Sequence, residues 1–471
     1  MSASTARRGA SGAAIALLLL PGCALLETRA QHRTLTREYQ QARDVATAEP
    51  AGDLPFANAA TLDRSALVGE VLRRNPTIAA ARSAWRAALA RYPQVTALED
   101  PMVGAMVGPR SFSSREVGDA VRFDASQAFP FPGKLALRGA IALAEAEAMA
   151  RDHDGVRVRL AAMASALYDE TWLQARSLEI TRRHLELVRA LRDAALGAYE
   201  SGLATQQDPL RVELDEAELL HVDVEFETAQ RVSRAQLAAL LHIGDAAAIP
   251  PLPETLPALG APPADSEAAL AEQALKERPE MRAADARVEA RQAGEALARR
   301  EFFPDFKVVG GWDSFWENPD QRPFVGLEWN LPLQLGRRNA ALEEARAEAA
   351  RARQERQSTG DSVRAEVATA ALRLRESHHL IAITRDRRIP AARDQVAAAR
   401  AGYESGVAPF RDLIDAERTL WSAELEEQSA VAEQSRRAAE LLAALGIPPG
   451  APPETNAALA PTVQNPGEHH E

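Results

Sequence analysis

The chain repeats itself. Tyr199-Glu200-Ser201-Gly202-Leu203-Ala204 returns as Tyr403-Glu404-Ser405-Gly406-Val407-Ala408, 204 residues later, and Asp208 returns as Asp412 at the same spacing. Pro76 returns as Pro279, 203 residues on. Any fold for this sequence must therefore hold two similar units. Each hexapeptide lies between long Ala-rich runs of helical pattern, so each reads as the turn of a helical hairpin. Gly lets a helix end in the left-handed conformation. The Asp then falls in the first turn of the next helix, where the dipole favours negative charge.

The repeats take the same order. Asp63 starts a helix that stops near Asn75-Pro76, and a second helix runs to about Arg91; Ser266, Arg278-Pro279 and Arg300 mark the same pair again. Four short stretches then depart from helical spacing. Met102–Gly108 and Phe306–Trp312 are apolar and Gly-spaced. Val121–Ala125 and Phe324–Leu331 alternate, with Val325, Leu327, Trp329 and Leu331 on one face. The segments 109–119 and 313–322 between them are rich in turn residues, so each repeat holds one β-hairpin. Alternation of this kind is also the signal of a transmembrane barrel. Each hairpin closes in a corner, Phe129-Pro130-Phe131-Pro132-Gly133-Lys134 and then Leu331-Pro332-Leu333-Gln334-Leu335-Gly336-Arg337, suited to a strand-to-helix junction.

No proline occurs from Gly133 to Asp208, so Lys134–Ser201 reads as one helix of about 100 Å at 1.5 Å per residue. A return helix covers 208–242. Arg337 to Tyr403 repeats the long helix with a kink expected at Pro390, and about Phe410 to Leu445 repeats the return. The expected organisation is residues 1–22 a signal peptide, 23–62 an extended N-terminal segment and 63–244 the first repeat. A loosely ordered Pro-rich connector follows at 245–265, the second repeat at 266–446 and a Pro-rich tail at 447–471.

Composition excludes some partners. The net charge of −12 argues against nucleic acid. No apolar run reaches the roughly 18–20 residues of a membrane-spanning helix, which leaves a lipid anchor or a β-barrel for any membrane role. Cys23 is the only cysteine. Arg7-Arg8, the apolar run Ala13–Leu20 and Leu20-Pro21-Gly22-Cys23 read as a lipoprotein signal with Cys23 the lipidated residue, and Ala24 after it fits outer-membrane sorting. No phosphate-binding loop, Gly-x-Ser-x-Gly or His-Glu-x-x-His occurs, so an enzyme is not expected. His378-His379 and His469-His470 are adjacent pairs that point different ways, and no metal site or cofactor is expected beyond the covalent lipid. Trp312, Trp316 and Trp329 suit either a barrel girdle or ordinary packing.

In its order of helix, two strands, very long helix, tip and return helix, the chain resembles the TolC-like outer-membrane efflux proteins over roughly 60–446. The doubled tips, Pro132-Gly133-Lys134 and Arg411-Asp412-Leu413-Ile414-Asp415-Ala416 carry the resemblance. It implies a mainly α fold with a membrane β-barrel. Four strands from each chain of a homotrimer close a 12-stranded barrel in outer-membrane lipid, and long helices form a cylinder extending into the periplasm. The implied function is a passive duct serving a periplasmic adaptor and an inner-membrane pump of the resistance-nodulation-division type. The corner and lipobox look most like the branch for heavy-metal cations; multidrug or protein export is the alternative. A lipid-anchored periplasmic coiled-coil scaffold is the competing class. Asp412 and Asp415, with Asp208 in the first tip, match the periplasmic aperture, although the same acids favour a helix start. Gly202, Leu203, Ala204, Gly406, Val407 and Ala408 match the adaptor-docking tips. The family's latching base falls near Ala408 and Pro409 here, which leaves Arg411 as the candidate.

Overall fold

Asp63 accepts from the backbone N–H of Ser65 and Ala66 at 2.9 and 3.1 Å, and so starts a helix, α2 (Arg64–Arg74), as its place before an apolar periodic run requires. Asn75 ends it, and α3 (Pro76–Leu89) and the short α4 (Arg91–Thr96) follow. The computed structural model describes residues 10–47, 56, 59–113, 118–202, 204–260 and 266–452; within the first stretch side chains are described for 24–44. Leu203, His469, His470 and most of the C-terminal tail lie outside the described residues, as does the Cys23 side chain.

After the hairpin strands β1 (Met102–Val107) and β2 (Val121–Phe129), α5 (Lys134–Glu200) runs unbroken for 67 residues and α6 (Gln207–Leu241) returns. The second half repeats the order with α7 (Glu267–Glu277), α8 (Pro279–Arg300), β3 (Phe306–Asp313) and β4 (Pro323–Trp329). Then come α9 (Leu335–Ile383), α10 (Ile389–Glu404) and α11 (Phe410–Ala444). The expected kink at Pro390 takes the form of a π-turn, Thr384–Arg388, between α9 and α10. The Ile389 N–H donates to Thr384 O, five residues back, which makes room for the proline ring.

Two expectations fail. The segment 23–62 is not extended: α1 (Ala10–Thr47) covers much of it. Pro50 and Pro55 suggested extension, but both lie beyond that helix. Ala24–Glu49 contains neither Pro nor Gly, and Leu35, Tyr39 and Ala42 recur at helical spacing to pack against Trp85, Leu89 and Ala146. The connector 245–265 is also not loose where it is described. Several of its carbonyls are taken up by the body of the protein, Arg234 donating to Ala246 and Ile249 and Arg176 to Glu254. Pro251 O accepts from Leu62 N at 2.8 Å and Pro253 O from Trp172 Nε1 at 3.0 Å, and Ile249 is fully buried among Leu67, Val71 and Leu241.

The chain divides into two units. One holds residues 1–45, 81–152 and 280–359, with the sheet in it; the other holds 46–80, 153–279 and 360–471, with both helical tips. In the first, the sheet order is β1-β2-β3-β4, antiparallel throughout, which leaves β1 and β4 as edges. The corner after β2 is locked to the loop before β3. Lys134 is 1% exposed and its ammonium lies 3.0 Å from Glu301 and 2.9 Å from Asp305. Phe131 stacks on Phe303, with ring centroids 4.7 Å apart, and its N–H donates to Asp305 at 2.6 Å. Gly133 has φ +91°, a left-handed conformation in which a side chain is strained, and the Arg300 guanidinium fills the space where a Cβ would lie. In the second unit, the core of α2, α5 and α6 surrounds a buried Arg64–Asp169 pair that Ser435 also contacts.

Candidate functional site: the apolar sheet face and the acidic tips

Residues opposite one another in an antiparallel ladder share a face. The register therefore sorts the sheet. Val103, Ala105 and Val107 align with Ala125, Phe123 and Val121; Phe123 aligns with Trp312; Val308 aligns with Leu327, and Phe306 with Trp329. On this face Val103, Val107, Phe123, Val308, Trp312, Val325, Leu327 and Trp329 are all exposed, Val325 at 87%. The opposite face carries Arg122, Asp124, Ser126, Lys307, Asp313 and Glu328, broken by Met102, Met106, Val309 and Phe324. Arg122 lies 3.6 Å from Asp124 and over the Phe324 ring, and Lys307 lies 3.6 Å from Glu328. A surface so apolar is out of place in water. With charges paired on the other face, it suits lipid on one side and an aqueous lumen on the other. Trp312 and Trp329 belong to the apolar face, whereas Trp316 sits in the β3–β4 connection.

At the tips, Gly202 and Gly406 have φ +73° and +71°. Both helix ends therefore use the left-handed glycine that the duplicated hexapeptide suggested. Val407 is 84% exposed. Asp208 accepts from both the N–H and the hydroxyl of Thr205, each at 3.1 Å. That is a helix-start role, apart from any aperture role. Asp412 and Asp415 are both half exposed. Asp412 has the Arg411 guanidinium 3.5 Å away. Asp415 accepts from Arg211 at 2.9 Å and lies 4.0 Å from Arg411.

Arg211 is the residue the sequence reading missed, because it looked for the latch in the second tip. The signal was available: Arg211 stands 204 residues before Asp415, at the equivalent place in the first repeat. Arg411 is near both acids but does not bridge the tips. One turn further along, Arg418 pairs with Glu218 at 2.5 Å. Behind these pairs, Leu413 and Ile414 of α11 pack on Leu185, Val188, Val212 and Leu219. His184 stacks on Trp421 there, and burial pulls its pKa down to about 4, so it is neutral. Burial pushes Glu417 and Asp215 up, against the pull of Arg400 on the first and Arg418 on the second.

Among the described residues no cluster of His, Cys, Asp and Glu is arranged to hold a metal, and no helix is long and apolar enough to cross a membrane. His378 instead shares a hydrogen bond with Gln434 at 3.0 Å.

Residues 270–447 match the family model described as outer membrane efflux protein. No curated protein sequence matches the chain. Three solved structures share its fold. CusC, described as forming a transmembrane channel, is 17% identical, covers 85% of this chain and 98% of its own, and has a TM-score of 0.70. The outer-membrane channel OprN is 21% identical over 85% and 95%, with a TM-score of 0.69. The outer-membrane protein VceC of Vibrio cholerae is 20% identical over 81% and 96%, also at 0.69. The chain thus has the mainly helical fold of outer-membrane channels, with a small antiparallel sheet, as the resemblance implied. The family is described as efflux proteins, and CusC and OprN as channels, not as enzymes.

Proposed function

We propose that this chain, with its efflux-protein second repeat and its channel fold, is the outer-membrane duct of an efflux system, acting as a homotrimer. One observation carries the reading: a four-stranded sheet with a largely apolar, exposed face broken by Gln127, a charged opposite face and two unpaired edges. Four strands cannot stand alone in lipid, because each open edge leaves backbone groups unsatisfied. Three copies joined edge to edge close a 12-stranded barrel. A periplasmic scaffold would have no use for the exposed apolar face.

The tips then face the periplasm, where 202–204 and 406–408 dock on an adaptor, and the adaptor joins the duct to an inner-membrane pump of the resistance-nodulation-division type. Cys23 is lipidated and adds a second, weaker anchor. The cargo is heavy-metal cations, a reading supported by the corner and lipobox resemblance alone. Single cysteines on a Cys23→Ser background test the topology. Labels in 109–119 and 313–322 react with an impermeant reagent in intact cells and a label at 406 does not; a reactive 406 overturns the reading. Metal or drug sensitivity of a deletion strain decides the cargo.

A further inference from the structure

We infer that the second corner, Leu331–Arg337, is a docking element for a second copy of this chain, and that it seats on residues 98–101 of that copy. The inference rests on the trimer proposed above and states which surfaces meet.

Within one chain the first corner already shows the joint. It leaves β2 and seats on residues 301–305, the loop that enters the neighbouring strand β3. An aromatic stack, a backbone-to-carboxylate bond and a buried cation between two acids hold it. The corner itself and the proline of its seat have repeat equivalents, while the seat's Phe303 falls on Asp100. Gly133 and Lys134 become Gly336 and Arg337, and Pro304 corresponds to Pro101, each 203 residues apart. Leu331-Pro332-Leu333 takes the place of Phe129-Pro130-Phe131. The seat for the second corner is therefore the loop that enters β1.

The chain cannot use its own copy of that loop, because β4 and β1 are opposite edges of the sheet. Both surfaces are accordingly bare. Leu331, Leu333 and Leu335 are exposed, Leu333 at 80%, and so are Leu98, Glu99, Asp100 and Arg337. Among the described residues, the side chains of Glu99, Asp100 and Arg337 have no polar partner. The two surfaces are complementary, with three leucines and a cation against a leucine and two acids. The acids stand a little differently in the second seat: Glu301 and Asp305 correspond to Leu98 and Met102, and the charges have moved to Glu99 and Asp100. The longer, forked guanidinium in place of Lys134's ammonium reaches that displaced pair.

The pairing Phe129 with Phe306 becomes Leu331 with Val103 of the next copy. That sets Trp329 opposite Ala105 and Leu327 opposite Val107, all on the apolar face.

The test uses full-length protein extracted from membranes, on a Cys23→Ser background. Leu333→Cys with Asp100→Cys is oxidised and run without reductant; Leu327→Cys with Val107→Cys reports the strand seam independently. We expect covalent trimers from both pairs. Arg337→Glu should speed trimer dissociation in detergent about tenfold, as loss of a close charge pair at an interface does, and adding Asp100→Arg should restore it. If the seam pair cross-links, the corner pair does not and Arg337→Glu is silent, the docking inference is wrong while the trimer stands. Absence of any cross-link, with monomeric migration, overturns both.

Discussion

Arg211 and Asp415 occupy the same place in the two repeats and pair with each other at 2.9 Å. The duplication thus put opposite charges at equivalent sites, and the two helical hairpins are tied at their tips by the difference. The tie is thermodynamically light. Both side chains are about half exposed, and such pairs contribute about 0.5 kcal/mol. It holds a position more than it holds the fold together.

Arg211→Ala should therefore leave the unfolding midpoint almost unchanged and raise conductance of the purified trimer in a planar bilayer severalfold. Asp415→Asn should do the same, and the double variant should add little to either single one. Additive effects would mean the two residues act separately.

Asp412→Ala with Asp415→Ala tests the aperture directly. Wild-type channels should prefer cations and be blocked by micromolar to millimolar divalent or trivalent cations from the tip side, because in the proposed trimer three copies would bring six carboxylates near one axis. The double variant should lose both properties. Retained block would mark these acids as helix-start charges only.

Lys134→Met takes the buried cation from between Glu301 and Asp305, leaving Glu301 only the more distant Arg138 at 3.9 Å. Both acids are partly exposed, so the expected cost is about 3 kcal/mol, at the low end for removing one member of a buried pair. The readout is a lower denaturant midpoint and a loss of heat-resistant trimer. Lys134→Arg should recover part of it.

Val407→Asp probes adaptor docking without disturbing the turn. Gly406 is a poorer probe, since its φ of +71° makes any side chain there strained. The Val407 variant should form normal trimers yet fail to support export. Wild-type export from it would count against docking through the tips.

The stack of His184 on Trp421 predicts a pH dependence. The imidazole pKa is about 4 in the folded chain and near 6.5 when unfolded. The unfolded state thus binds the extra proton between these values, and stability falls as pH drops from about 6.5 to 4. Glu417 and Asp215, both raised, act in the opposite direction as pH falls. His184→Phe should remove the imidazole's share. The denaturant midpoint at pH 5, relative to that at pH 7, should be higher in this variant than in the wild type.

The parts of this protein written twice were legible in the sequence. The tips, corners, hairpin strands and helix starts each occur at two sites about two hundred residues apart, so a weak local signal was read with its own control. What occurs once was harder. The helix through Leu35 and Tyr39 has no counterpart in the second repeat, and two prolines beyond its end suggested extension instead. The connector's order depends on Leu62 and Trp172, which are distant in sequence and lend no pattern to the prolines they bind. Arg211 was hidden for a different reason. A search for matching residues passes over a site where the repeat has changed sign.

The π-turn before Pro390 also sets a phase. From Val363 onward a buried stripe runs Val363, Val367, Ala370, Leu374, Ser377, Ile381 and then Thr384, with Ala371 beside it, in alternating steps of four and three, which is a heptad seam. Beyond the turn the buried positions resume at Ile389 and Ala392, after a step of five. Continued without interruption, the seam would have reached Arg388. Instead the turn takes up one extra residue, about 100° of helical rotation at 3.6 residues per turn, and delivers an isoleucine to the seam and the arginine to its flank beside Glu426. Deleting one residue from 385–388 while replacing Pro390 would yield a straighter rod with the same seam and no joint between α9 and α10.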